Sequence, residues 1–236
     1  MKKKLLLAAV IVAALALMVS TSLAYFTADD AANNVFTVGS VKIEVYENGD
    51  ATDSDTIEFG TLTPIVNVND PAADVSYIEK VVNVKNTGSN AAYIRTHIAL
   101  PTDLVDYLCL DISETGWTKQ ADSTATVDGV AYTVYTYDHD DAVAAKDFTA
   151  ELLQGVYLAS NVDLEENATG DLVFILRDAN GAKLAESAFV AHTLNADGSY
   201  TSANVNVLVA SQAIQADGFD DATTALNSGF AGNPWA

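Results

Sequence analysis

The stretch YDHDDA sets Asp138, Asp140 and Asp141 around His139. Carboxylates at alternate positions are the ligand type and spacing that a hard cation such as Ca²⁺ takes from a single loop, which makes these three the candidate metal ligands. The stretch carries neither the glycine nor the distal glutamate of an EF-hand loop, and its other reading is a solvated acidic loop. His97, His139 and His192 stand far apart in the sequence, and no H-E-x-x-H motif brings two imidazoles onto one helix face for zinc. A G-x-S-x-G elbow, a Walker loop and a dinucleotide fingerprint are also missing. Two carboxylates suffice for glycoside hydrolysis, but with 32 acidic residues in the chain the presence of such a pair carries no information. Cys109 is the one cysteine, so the chain has no internal disulfide. As a nucleophile it needs a histidine base; in YLCLDI it alternates with Leu108, Leu110 and Ile112, as a small strand residue does. These residues assign no catalytic group and no cofactor beyond the Ca²⁺ option, and the chain reads as a non-enzyme.

The elements that position them begin after a leader. Lys2, Lys3 and Lys4 precede an apolar run from Leu5 to Val19, and Ser22 and Ala24 supply small residues at the minus three and minus one positions of a cleavage site. Residues 1–24 therefore read as a secretory signal peptide that touches the membrane before cleavage. A retained anchor is the competing reading, because the run approaches the ~20 residues that span a bilayer.

The exported chain keeps eight of the eleven cations against all 32 acids, so it is more negative than the −21 of the full sequence. Such a charge repels nucleic acid and anionic membrane and excludes both as partners. The apolar content is too high for a disordered acidic tail.

Alternation with a period of two dominates the rest. Val41, Ile43 and Val45 alternate with polar residues, whereas upstream the apolar Phe36 and Val38 have the opposite parity, which makes Gly39 a bulge or hinge. The segment 25–38 is thus expected to lie on a different surface from the strand after it. In YIEKVVNVKNTGSNAAYIRTHIAL two strands flank a turn at 86–90, as a hairpin or as a crossing to a facing sheet. Asp128-Gly129 predicts a tight hairpin, and Asp178-Ala179-Asn180-Gly181 a turn. The tyrosines of VAYTVYTY read as sheet residues with one partly solvated face. FDDATTALNSGF predicts a short C-terminal helix with Asp220 or Asp221 as its N-cap. About eight to eleven strands without a long helix give an all-β fold, a single antiparallel jelly-roll-like β-sandwich over residues 39–236.

Three blocks, TSLAYFTADDAANNVFTVGSVKIEV, VVNVKNTGSNAAYIRTHIAL and VLVASQAIQADGF, are together similar to the TasA and camelysin family of secreted bacterial proteins. That resemblance implies a Gram-positive protein of the biofilm matrix or cell surface, a jelly-roll sandwich, and processing after Ala24 by a signal peptidase of the SipW type. It also implies fibres in which residues 25–38 of one subunit add as a strand to the next, whether a second copy or a co-secreted paralogue. Tyr25, Phe26, Val35, Phe36 and Val38 are then the donor-strand residues and Gly39 the hinge. The alternatives are that the segment folds back onto its own sandwich, and that the protein is a monomeric surface protein, ligand-binding or a camelysin-like protease. No zinc motif here supports the protease label.

Overall fold

The computed structural model describes residues 27–31, 34–37, 41–51, 56–58 and 63–235. The strands are β1 (Thr27–Ala31), β2 (Asn34–Thr37), β3 (Ile43–Glu47), β4 (Thr56–Glu58), β5 (Ile78–Asn86) and β6 (Ala92–Pro101). They continue as β7 (Leu108–Ile112), β8 (Trp117–Lys119), β9 (Ser123–Val127), β10 (Val130–His139), β11 (Leu153–Leu158) and β12 (Val162–Glu166). The last are β13 (Leu172–Arg177), β14 (Lys183–Leu194), β15 (Tyr200–Ser202), β16 (Asn204–Asn206) and β17 (Leu208–Gln215), followed by helix α1 (Ala222–Gly229). The expected all-β fold with a short C-terminal helix is present. The seventeen strands among the described residues exceed the eight to eleven read from the sequence because several are three-residue pieces with too little alternation to register.

Two sheets form the sandwich. The first runs β2-β1-β17-β6-β10-β8, with β9 also on β10, and the second runs β3-β5-β11-β7. Strands β12 to β15 make a separate four-stranded meander, and β16 pairs with β4. Named strands pair antiparallel throughout. The strands flanking 86–90 are not a hairpin: β5 lies in the second sheet and β6 in the first, so the chain crosses. Each strand buries one parity toward the other, Val82 against Ile98 and Leu100, and Val84 against Ala92 and Ile94. Burial on facing sheets uses the same alternation as burial side by side, with more apolar area removed from water. Asn86 fixes the crossing. Its amide donates to the carbonyls of Asn90 and Val143 at 2.8 and 3.0 Å, and its Oδ1 accepts from Gly88 N.

Two turns follow local chemistry. Asp128 and Gly129 both have positive φ, 50° and 83°, as a two-residue hairpin with right-handed twist requires, and they join β9 to β10. Asp178 accepts from Asn180 N and Ala182 N, both at 2.8 Å, between β13 and β14. At the C-terminus the Asp221 carboxylate accepts from Thr224 N at 2.7 Å and caps α1. The helix buries Ala222, Ala225 and Leu226 against Ile214 and Tyr93 on the outer face of the first sheet.

A close approach fixes the second sheet. Tyr77 lies across β11 at Gly155, donates its hydroxyl to Asp111 Oδ2 at 2.8 Å and stacks on Tyr157. A Cβ at 155 would overlap the Tyr77 phenol, so Gly155→Ala ejects that ring and breaks its bond to a carboxylate. We expect a loss of about 1–3 kcal/mol in urea unfolding. If the same alanine costs as much in a Tyr77→Ala background, the overlap is not the cause.

Candidate functional site

Two strand edges and one buried polar layer concentrate the chemistry of the described residues. The first edge belongs to β17. Its central partner is β6, and its other side takes β1, from Thr27 opposite Ile214 to Ala31 opposite Ala210. Strand β2 then adds to β1, with Val35 opposite Asp30 and Phe36 opposite Asp29. The described part of the 25–38 segment is therefore paired with its own chain, the fold-back alternative. Tyr25, Phe26, Val38, Gly39 and the cleavage residues Ser22 and Ala24 lie outside the described residues. The parity change has a structural basis, because β2 ends in the first sheet and β3 begins in the second. Beyond that crossing the chain is anchored firmly, with Val41 and Ile43 buried among Val84, Ile94, Val143 and Ala213.

The second edge is β7, the terminal strand of its sheet, paired on one side with β11. Ala159 N donates to Tyr107 O and Ser113 N to Leu152 O, which fixes the hydrogen-bond phase: odd-numbered residues of β7 point their main-chain groups at β11. Leu108, Leu110 and Ile112 therefore aim theirs away from the sheet. Alongside runs a cleft of about 500 Å³ between β7 and the facing sheet, bordered by Leu100, Val105, Tyr135, Tyr137, Tyr157 and Lys119. Cys109 sits on the opposite parity to the leucines, as its alternation predicts. Burial pushes its thiol pKa up, while the Tyr157 hydroxyl pulls the other way, so the thiol is held protonated and poorly nucleophilic.

The polar layer lies on the outer face of the first sheet, under α1 and the C-terminal segment. Arg95 grips Asp138 with two bonds, Nε to Oδ1 at 2.6 Å and Nη2 to Oδ2 at 2.9 Å, and Nη2 also donates to Asn227 Oδ1 on α1 at 2.8 Å. His97 holds Thr136 Oγ1 through Nδ1 and Gln212 Oε1 through Nε2, each at 3.0 Å. The Gln212 carbonyl oxygen can only accept, so Nε2 carries the proton and Nδ1 accepts from the threonine hydroxyl. Burial lowers the His97 pKa from 6.5 to about 4. Trp235 packs edge-on against this ring, and Asn233 donates to Ser123 Oγ and Thr124 O, so the C-terminal segment straps the layer shut.

No family model, curated protein or solved structure matches the chain. The site must be read from its own groups.

The three candidate metal ligands do not converge. Asp138 is buried and committed to Arg95, Asp140 accepts from the Thr118 hydroxyl at 2.6 Å, and the Asp141 main-chain carbonyl accepts from His139 Nδ1 at 2.7 Å. Asp138 on β10 and Asp140 just past its end share a side, but one is taken by Arg95 and the other by Thr118, which lies opposite Asp138, so the spacing alone misleads here. Among the described residues no group of three or more His, Cys, Asp and Glu stands close enough to hold a metal ion. His139 is held between Asp141 O and Ala150 N and packs edge-on against Trp117, while His192 bonds Ser202. The tyrosines of β10 are structural: Tyr132 and Tyr137 are buried on opposite sides of their sheet. Among the described residues no helix is long and apolar enough to cross a membrane.

Proposed function

We propose that this chain is a secreted structural protein of the extracellular matrix or cell surface of a Gram-positive bacterium, similar to the TasA and camelysin family, and that it polymerises by exchanging its N-terminal strand. The observation that carries the reading is the attachment of β1 to β17. The strand is joined to the rest of its domain through a crossing of a few residues between Thr37 and Val41. An identical segment from a second copy satisfies the same ladder, register for register, so exchange replaces the intramolecular junction without new chemistry. A monomeric surface protein is the second reading, and the same pairing within one chain favours it.

The charge sets the conditions for assembly. Subunits this acidic repel one another, so raised ionic strength, divalent cations or mild acid promotes fibres. The test compares a chain that starts at Tyr25 with one that starts at Gly39 by electron microscopy and light scattering. We expect fibres, and scattering that grows with salt to fibre-sized particles, from the first and no fibres from the second. An intact chain that stays monomeric at high concentration across salt and pH sinks the fibre reading and leaves the monomer.

A further inference from the structure

We propose that β7 is a second interaction surface, specific for another copy of this chain: two β7 strands pair antiparallel about a two-fold axis at Leu110 and join two four-stranded sheets into one of eight.

Among the described residues no strand pairs with this edge. Natural edge strands are blunted by lysine, proline or a covering element, whereas LCLDI presents two leucines, an isoleucine and one carboxylate, and that carboxylate is already engaged by Tyr77. The hydrogen-bond phase selects the register. With Leu110 opposite its own copy, Leu108 faces Ile112 of that copy, and all three outward-pointing residues of each strand fall in hydrogen-bonded pairs. The next register in phase, shifted by two residues, leaves either Leu108 or Ile112 facing an acidic residue outside the strand. Side-chain parity agrees. Residues directly opposite in a ladder share a face, so the copy's Leu108, Leu110 and Ile112 lie on the cleft side, where Val105, Leu110, Ile112 and Tyr135 are only partly buried, and cover that border. Within the strands no like charges meet, because Asp111 stands opposite Cys109 of the copy; just beyond them Asp106 faces Glu114 of the copy, a repulsion that high salt screens. The contact is isologous and closes on itself, so it yields a dimer rather than an open chain. It does not depend on strand exchange at β17, which lies in the other sheet.

The pairing Cys109 to position 111 supplies the test. It is a non-hydrogen-bonded pair with Cα atoms about 4.5 Å apart, within the span of a disulfide. In an Asp111→Cys variant, oxidation by dioxygen with copper phenanthroline removes one proton and one electron from each thiol and forms the bond between chains. The chain starting at Gly39 is used beside the one starting at Tyr25, so that fibre formation cannot mimic the result. We expect a dimer mass by light scattering at high salt in the chain starting at Gly39, rapid cross-linking of Asp111→Cys to a reducible dimer in both, and at least a tenfold slower reaction when Cys109→Ser is added. Leu110→Lys should give a monomer with an unchanged circular dichroism spectrum. A wild-type chain that is monomeric at high salt, or cross-linking that Leu110→Lys leaves unchanged, overturns the proposal. Failure here with fibres intact removes the β7 contact alone.

Discussion

Replacing Asp138 by alanine lowers the stability of the fold by about 3–5 kcal/mol, measured by urea unfolding. The loss comes mostly from the partner left behind. Arg95 is 6% exposed, and its guanidinium is held by two bonds to Asp138 and one to Asn227. Removing the carboxylate strands a cation that cannot neutralise itself, since arginine keeps its proton at any pH a folded protein meets. Removing both charges together with an apolar pair of similar volume costs much less, so an Arg95→Met/Asp138→Leu double variant should recover most of the loss. The same residue bears on Ca²⁺ binding. With its carboxylate taken by Arg95, Asp138 has nothing to offer Ca²⁺, and a chelator should leave the melting temperature unchanged. A rise in melting temperature on adding Ca²⁺ that disappears in Asp138→Asn reverses that assignment.

The second large effect is a loss of stability between neutral and mildly acidic pH. Unfolded, His97 titrates near 6.5; folded, it titrates at about 4, because burial disfavours the imidazolium and Arg95 beside it adds repulsion. Between those values the unfolded chain binds a proton that the folded chain refuses, so stability falls by about 1.4 kcal/mol per pH unit as pH drops. The loss levels off near pH 4 at about 3 kcal/mol. Asp138 is the carboxylate in the same layer and is taken by Arg95, while α1 and the strap face the layer with Asn227 and Trp235, neither of which titrates. Asp74, Asp171, Asp178, Asp197 and Asp221 are all held below the usual aspartate range by hydrogen bonds, so their contributions are lost at lower pH still. His97→Gln should flatten the profile above pH 4, and a slope that survives it assigns the effect elsewhere. Mild acid thus has two opposed actions, neutralising surface carboxylates while weakening the layer beneath the C-terminal strap.

The parts of the fold legible in the sequence are those set by adjacent residues. Asp128-Gly129 demands positive φ twice in succession, and Asp221 finds its acceptor role three residues away at Thr224. The crossing after Asn86 was not decidable, because alternate burial looks the same whether two strands lie side by side or face to face. The polar layer was invisible for another reason. Arg95, His97 and Asp138 occupy the parity opposite the core, where charged residues normally meet water, and their burial depends on a helix more than eighty residues further along the chain. A trace existed in Tyr93, Ala99, Val134 and Ile214, apolar residues on that same outward parity. The β7 edge was half legible: YLCLDI announced a strand, but nothing local said that it would end a sheet.

The attachment of β1 has a consequence in time. Thr27 and its partner Ile214 lie in the first and the last of the described strands, and β17 is also the strand that joins β1 to β6. In a chain that emerges N-terminus first, β1 is among the earliest segments to appear and its docking edge among the last. Each chain therefore passes through an interval in which β1 exists before its edge on β17, and a finished copy offers that edge only when its own β1 has left it. That interval lasts as long as it takes to deliver the intervening sandwich, and under the strand-exchange proposal local concentration during it decides between closing within one chain and joining the chain beside it.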